Sequence, residues 1–145
     1  MSDPLLVLSV MASAGTEFAS YDLLQTIYAA GFQFGEMNLF HYYSPEKENE
    51  EKSILFSLAS ASEPGEFNLD KMGNFTCPGL ILFLDLNRVK NPEQAFERML
   101  ETAQQLTDDL DAELRATPRT PLTDAIFRQY RDKIFARQKN VLVEV

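Results

Sequence analysis

The chain has 145 residues, of which 45% are hydrophobic, and its formal net charge is -9 at pH 7. A chain of this length is expected to form one domain that buries roughly 68–70% of the surface of its unfolded state. The negative charge argues against nucleic acid and against anionic lipid as the primary partner. The single cysteine, Cys77, permits neither an internal disulfide nor a cysteine-rich metal site, and it fits a reducing compartment.

The chain begins with a pattern that predicts a strand followed by a helix. Residues 5–11 are apolar at both parities, which is typical of a strand that is covered on two faces. Ser20 suits the N-cap of a helix, and the apolar spacing that follows it predicts an amphipathic helix ending near Ala30. Gly31 then stands where a helix C-cap glycine belongs.

An aromatic stretch at 32–43 follows the helix and predicts a strand with large apolar groups on both faces. Gly35 is expected to let this strand bend or bulge. Met37 and Leu39 would then lie on one side, and Phe40 on the other. An antiparallel sheet with one face in water alternates apolar and polar residues. Because this stretch has apolar residues on both sides, we expect its second face to be covered as well.

Residues 44–52 are charged and lack periodicity, so they predict a solvated connection between strands. The next strand is predicted at 54–61. Its inward face would carry Phe56, whereas Ala59 and Ala61 would lie on the opposite face, where small side chains leave room.

The most apolar segment is residues 80–86, which alternate leucines with other side chains. A continuous apolar run of this length predicts a central strand that is covered on both faces. Its leucines share one side, and Ile81, Phe83 and Asp85 share the other.

The last third of the chain predicts two helices separated by two short strands. Pro92 suits the first turn of a helix whose apolar stripe extends to Leu110. Residues 112–121 contain prolines that confine the second of the two strands to a sheet edge. Thr123 is expected to cap the third helix, and residues 141–145 are either a tail or an extra edge strand.

This order of elements indicates an α+β fold with six antiparallel strands and three helices, the helices lying on one face of the sheet. We expect residues 1–140 to form the single domain and residues 141–145 a tail. The other sheet face would then be open. By parity, its candidates are Leu5, Val7, Met37, Leu39, Ala59, Ala61, Ile81 and Phe83.

Motifs that carry chemistry are scarce. His41 is the only histidine, and neither a phosphate-binding loop, a dinucleotide glycine fingerprint nor a zinc pattern occurs. Nothing in the spacing of His41 and Cys77 favours a thiol–imidazole pair. An acidic chain with an open apolar sheet face and no catalytic set is best interpreted as a non-enzymatic binding domain, with no cofactor and no metal.

Five colinear stretches resemble the C-terminal domain of the bacterial cell-division protein family ZipA. They are residues 31–41, 55–59, 64–67 and 75–79, and the last helix from Thr123. The resemblance runs from about Leu5 to Ala136. It implies a six-stranded antiparallel sheet with three helices. It also implies a shallow apolar groove, on the open face, that binds the C-terminal tail of the tubulin-like protein FtsZ, largely as a helix.

The resemblance also implies a set of binding residues. Those in the groove are Leu5, Val7, Met37, Leu39, Ala59, Ala61, Ile81, Phe83 and Asp85, with Glu36 and Arg119 at the rim. Two positions depart from the better-known members, which carry a methionine at Ala61 and a lysine at Glu63. We therefore expect a groove that is shallower on that side and more acidic at that edge.

The implied role is to tether division filaments to the cytoplasmic face of the inner membrane during septum assembly. The family's N-terminal membrane anchor and linker do not occur in this sequence, and we expect an excised, soluble, monomeric domain rather than an unanchored protein. Two alternatives stay open. The open face could serve a small-ligand or acid–base enzyme domain that uses Asp85 beside Phe83, or it could form an obligate homodimer.

Overall fold

A seven-stranded antiparallel sheet organises the fold in the computed structural model, which describes residues 3–45 and 52–143. The strands are β1 (Leu5–Met11), β2 (Phe18–Ala19), β3 (Gln33–Gly35), β4 (Leu39–Tyr43), β5 (Ile54–Ser60), β6 (Thr76–Cys77), β7 (Gly79–Asp85), β8 (Glu113–Thr117) and β9 (Thr120–Pro121). The main sheet has the order β3-β4-β5-β7-β1-β8-β9, and β2 pairs with β6 in a separate ribbon. The α+β class is confirmed, but the main sheet has one strand more than expected.

The additional strand arises because residues 32–43 form a hairpin rather than one bent strand. β3 ends at Gly35, and the chain reverses through a single helical turn, Glu36–Asn38. β4 then returns antiparallel to β3, with Phe34 opposite Phe40. Met37 therefore lies in a turn, and the expectation of a strand position for Met37 was wrong.

The predicted central strand is confirmed in β7, which pairs with β1 on one side and with β5 on the other. Leu80, Leu82 and Leu84 are fully buried, whereas Ile81 and Phe83 are half-buried. The leucines face the helices, so the alternation along β7 separates the core face of the sheet from its open face.

Three helices contribute to the core: α1 (Ser20–Ala29), α2 (Pro92–Asp109) and α3 (Asp124–Val143). The buried stripe of α2 includes Phe96 and Met99, and α2 lies against β1 and β7. Because α2 crosses the middle strands, it protects the most apolar part of the sheet from water. The long apolar stripe predicted from the sequence thus corresponds to the principal contact between helix and sheet.

The third helix is attached to the sheet by a buried tyrosine. The Tyr130 hydroxyl donates a hydrogen bond of 2.7 Å to the carbonyl of Val7, and its ring packs edge-on against Phe96. β8 pairs with β1 only along Ser9–Met11, so the Val7 carbonyl lies beyond the end of that pairing. Tyr130 therefore satisfies a main-chain acceptor that the sheet leaves open.

The helix boundaries agree closely with the sequence pattern. Thr123 caps α3 as predicted, because its side-chain oxygen accepts from the amide of Ile126 at 3.2 Å. In α1 the N-cap is Ala19, and Ser20 is the first helical residue rather than the cap.

Two predicted segments fall partly beyond the described residues. In the charged connection at 44–52, residues 46–51 are not among the described residues. Of the predicted tail at 141–145, residues 144–145 lie outside them, and the helix α3 continues to Val143.

Candidate functional site

The open face of the sheet carries a row of side chains that crosses four strands. In register across β4, β5, β7 and β1, this row contains His41, Ser57, Phe83 and Val7. Phe83 and Val7 are half-buried, whereas His41 and Ser57 are buried. The centre of the face is thus apolar toward β1 and polar toward β4.

A second row lies beside the first. Ala59 pairs with Ile81, which in turn pairs with Ser9, and Ser9 pairs with Arg115 on β8. The small side chain of Ala59 lowers the floor of the face next to Ile81. Arg115 is partly buried, and its guanidinium donates to the carbonyl of Pro118 at 3.4 Å.

A depression of about 140 Å³ occupies the end of the face near the start of β1. Its lining consists of Leu5, Glu36, Met37, Leu39, His41, Ile54, Leu55, Phe56, Ser57, Phe83, Asp85 and Arg88. Leu5 and Asp85 form one wall as register partners, and the turn between β3 and β4 forms the opposite wall. The depression is therefore built by strands that are distant in sequence.

Six of the eleven residues predicted for the groove line this depression: Leu5, Glu36, Met37, Leu39, Phe83 and Asp85. Val7, Ala59 and Ile81 lie on the same face, beside the depression. Ala61 lies just beyond the end of β5, where its amide donates to the carbonyl of Gly79 at 2.9 Å.

The structure separates Arg119 from the depression. Arg119 is exposed in the turn between β8 and β9, at the opposite edge of the sheet from the β3–β4 turn. The basic side chain that lines the depression is Arg88, whose Nε lies 3.9 Å from Oδ2 of Asp85. The sequence reading missed Arg88 because this residue follows the strand, where strand parity no longer applies.

Met37 is the most exposed of the large hydrophobic side chains in the described part of the chain, with 78% of its surface accessible. Its backbone has φ 62°, and the next residue, Asn38, has φ 57°. Left-handed values are uncommon for residues other than glycine. The flexible Met37 side chain is thus exposed beside the depression by a backbone conformation that residues other than glycine seldom adopt.

His41 occupies the wall below that turn and is buried, with only 4% of its surface accessible. Its Nδ1 lies 2.7 Å from the Ser57 hydroxyl, and its Nε2 lies 2.9 Å from the carbonyl oxygen of Glu36. Because a carbonyl only accepts, Nε2 carries the proton, and in the neutral ring Ser57 donates to Nδ1. Parity with Leu39 could have placed His41 on this face, but its partners depend on the hairpin.

The described residues show little that favours catalysis. His41 uses both ring nitrogens in structural hydrogen bonds, and burial raises the pKa of the Cys77 thiol above its usual value. Asp85 accepts from the amide of Asn87 at 2.9 Å. Within the described part of the chain, no three His, Cys, Asp or Glu side chains cluster as a metal site would require.

None of the helices in the described part of the chain has the length and apolar character needed to cross a membrane.

Comparison with known proteins gives a consistent result. The model of the family described as "ZipA, C-terminal FtsZ-binding domain" matches residues 4–133. The chain is 35% identical over 143 residues to the cell division protein ZipA of Pseudomonas fluorescens Pf-5, covering 99% of this chain and 50% of that protein. It is 37% identical over 132 residues to ZipA of Stutzerimonas stutzeri A1501, covering 91% and 48%. The chain spans about half the length of the curated relatives that it matches.

Proposed function

Because this chain belongs to the family of ZipA C-terminal FtsZ-binding domains, we propose that it is a non-enzymatic module that captures the C-terminal tail of FtsZ on the open face of its sheet. The observation that carries the proposal is the exposure of Met37 beside the half-buried Phe83, on the face of the sheet opposite the buried leucines of β7. An exposed apolar patch beside a depression is typical of a surface that a partner covers.

The dimensions of the face suit a short helix. The strands from β4 to β1 span three strand spacings, or about 14 Å. A helix of roughly nine or ten residues has the same length. An amphipathic tail could place two or three apolar side chains, spaced three or four residues apart, between Met37 and Phe83.

The charges around the depression suit a tail of mixed charge. Glu36 and Asp85 present carboxylates on opposite walls, and Arg88 adds one cation beside Asp85. Glu36 and Arg88 are exposed and Asp85 is half-buried, so these charges orient a partner more than they add affinity. The contact is small, and we expect a single-site dissociation constant on the order of 1–100 μM, which corresponds to about −5.5 to −8 kcal/mol.

We further propose that the domain serves as the capturing end of a membrane tether. The curated relatives are about twice as long as this chain. The remainder of such a protein would provide the family's anchor in the inner membrane and the linker. A filament carries many identical tails, so weak single contacts would combine into firm attachment at the membrane.

The size of the depression argues against a drug-sized ligand bound within it. Its volume of about 140 Å³ is well below the roughly 300–1,000 Å³ that drug-sized ligands occupy. A peptide helix needs no such enclosure, because it lies across a face and keeps one side in water.

An amide NMR titration with a synthetic FtsZ tail peptide tests the proposal. We expect the largest shift changes at the β3–β4 turn and along β5 and β7, and small changes along α1 and α2. Absence of binding at roughly 1 mM peptide, or shift changes confined to the helices, would contradict it. Sedimentation of the free domain provides the second test, because a tight dimer that buries Met37 and Phe83 would favour the homodimer instead.

A further inference from the structure

The turn that presents Met37 has an unfavourable local conformation. Met37 and Asn38 are consecutive non-glycine residues with φ values of 62° and 57°. Asparagine tolerates this region, but a left-handed methionine brings its Cβ close to the following carbonyl oxygen, so we expect the turn to need support at Met37. A strained backbone conformation persists when contacts with the surrounding structure hold it in place.

Three hydrogen bonds provide that support. The Glu36 carbonyl accepts from the Leu39 amide and from Nε2 of His41, the latter at 2.9 Å. The Asn38 carbonyl accepts from the Phe67 amide at 2.8 Å. Of these donors, only His41 is a side chain. It is therefore the one that substitution can remove without changing the backbone.

The orientation of His41 is in turn determined by the neighbouring strand. Its Nδ1 lies 2.7 Å from the hydroxyl of Ser57, its register partner on β5, and its ring packs edge-on against Tyr43. Hydrogen bonds in a buried, low-dielectric position are strong, and a missing partner there is costly. The ring can therefore direct Nε2 at Glu36 in a single orientation.

We infer that His41 is a positioning residue for tail binding, an inference that rests on the proposed function. The chain of contacts from Ser57 through His41 to the Glu36 carbonyl holds the β3–β4 turn in the conformation that projects Met37 over the depression. His41 acts through the position of Met37 rather than by providing a binding surface of its own, because its ring is almost completely buried.

The test compares two substitutions at one position. His41→Phe keeps a ring of similar shape but loses both hydrogen bonds. His41→Gln can place an amide N–H near the position of Nε2 and so retain the bond to Glu36. We expect His41→Phe to weaken binding of the FtsZ tail peptide about tenfold and His41→Gln by less than about threefold, measured by isothermal titration calorimetry.

A double-mutant cycle separates positioning from direct contact. If His41 acts through Met37, then His41→Phe should cause little further loss of affinity in a Met37→Ala background. Additive losses would overturn the inference, since they would mean that the ring contributes independently. Should His41→Phe fail to fold, Ser57→Ala takes its place in the same cycle. That change removes the hydroxyl partner without removing the ring, and additive losses there would equally overturn the inference.

Amide hydrogen exchange of Leu39 reports on the turn without any peptide, because this amide is bonded to the Glu36 carbonyl. We expect faster exchange at Leu39 in His41→Phe, and exchange close to that of the unsubstituted domain in His41→Gln. Unchanged protection in both variants would overturn the inference even if the peptide binds. If the unsubstituted domain does not bind the peptide, the proposed function fails, and Leu39 exchange still decides whether His41 holds the turn.

Discussion

Leu82 and Phe83 are adjacent on the central strand, yet Leu82 is fully buried under the helices whereas Phe83 lies half-exposed on the open face. Their neighbours show the same division, because Leu82 pairs with Leu8 on the core side and Phe83 pairs with Val7 on the open side. We therefore expect Leu82 to contribute to folding stability and Phe83 to contribute to partner binding.

The first prediction follows from this alternation. Leu82→Ala should lower the free energy of unfolding by about 2–5 kcal/mol, because it empties a core position. Phe83→Ala should have a smaller effect on unfolding, but it should weaken tail binding by about 2 kcal/mol or more, roughly thirtyfold, because it removes an aromatic anchor. Chemical denaturation and peptide titration on both variants measure the two effects. The reverse pattern would invert the assignment of the two faces.

A second prediction concerns Met37, where stability and binding should change in opposite directions. Glycine adopts positive φ values without the Cβ penalty, so Met37→Gly should relieve strain at φ 62° and raise the free energy of unfolding by about 1 kcal/mol. The same change removes the exposed thioether, and tail affinity should fall. Thermal unfolding and calorimetric titration of one sample measure both quantities. A variant that is less stable would show that the Met37 side chain itself holds the turn.

Phe40 is the matched control for Met37, since it is fully buried and packs edge-on against Tyr28, Phe34 and Phe67. Phe40→Ala should lower the free energy of unfolding by about 3–5 kcal/mol. In the fraction that stays folded, the affinity for the tail peptide should change little. A large loss of affinity in the folded fraction would place Phe40 in the binding surface instead of the core.

The third prediction concerns alkaline pH. Burial raises the pKa of Tyr130 and the pKa of Cys77 above their ordinary values. Both groups stay protonated in the folded protein after they ionise in the unfolded chain. Their contribution to stability is therefore complete below those values and declines as pH rises through the folded pKa. We expect urea unfolding to show that the unsubstituted domain loses stability more steeply than Cys77→Ala does above about pH 9. Above about pH 10, it should also lose stability more steeply than Tyr130→Phe does. Parallel pH profiles for all three proteins would contradict this.

A fourth prediction concerns salt. The depression is lined mostly by apolar side chains, and Glu36, Asp85 and Arg88 are the charged residues that line it. Between roughly 50 and 200 mM salt, exposed charges are increasingly screened whereas apolar burial is not, so tail affinity should fall only mildly. A titration series at three salt concentrations measures this. A loss of several orders of magnitude would mean that charge carries the binding.

Much of the core could be predicted because strand and helix periodicities are local. The run at 80–86 identified the central strand, and the stripe of α2 identified its buried face, without knowledge of any partner. The resemblance added Glu36 and Asp85 to the open-face residues expected from parity, and both line the depression. It also carried over Arg119, which the structure places at the far edge of the sheet, because a colinear match does not convey distances between strands.

The sequence by itself indicated the buried apolar stripes of β7 and α2, since alternation and helical spacing are properties of short segments. Only the tertiary structure decided the shape of the site. Met37 takes a left-handed conformation that methionine does not prefer, and its turn is held by His41 from β4 and Phe67 from a later loop. The His41 ring is oriented by Ser57 on β5, sixteen residues further along the chain. Such contacts outweigh local preference, and no local pattern could have predicted them.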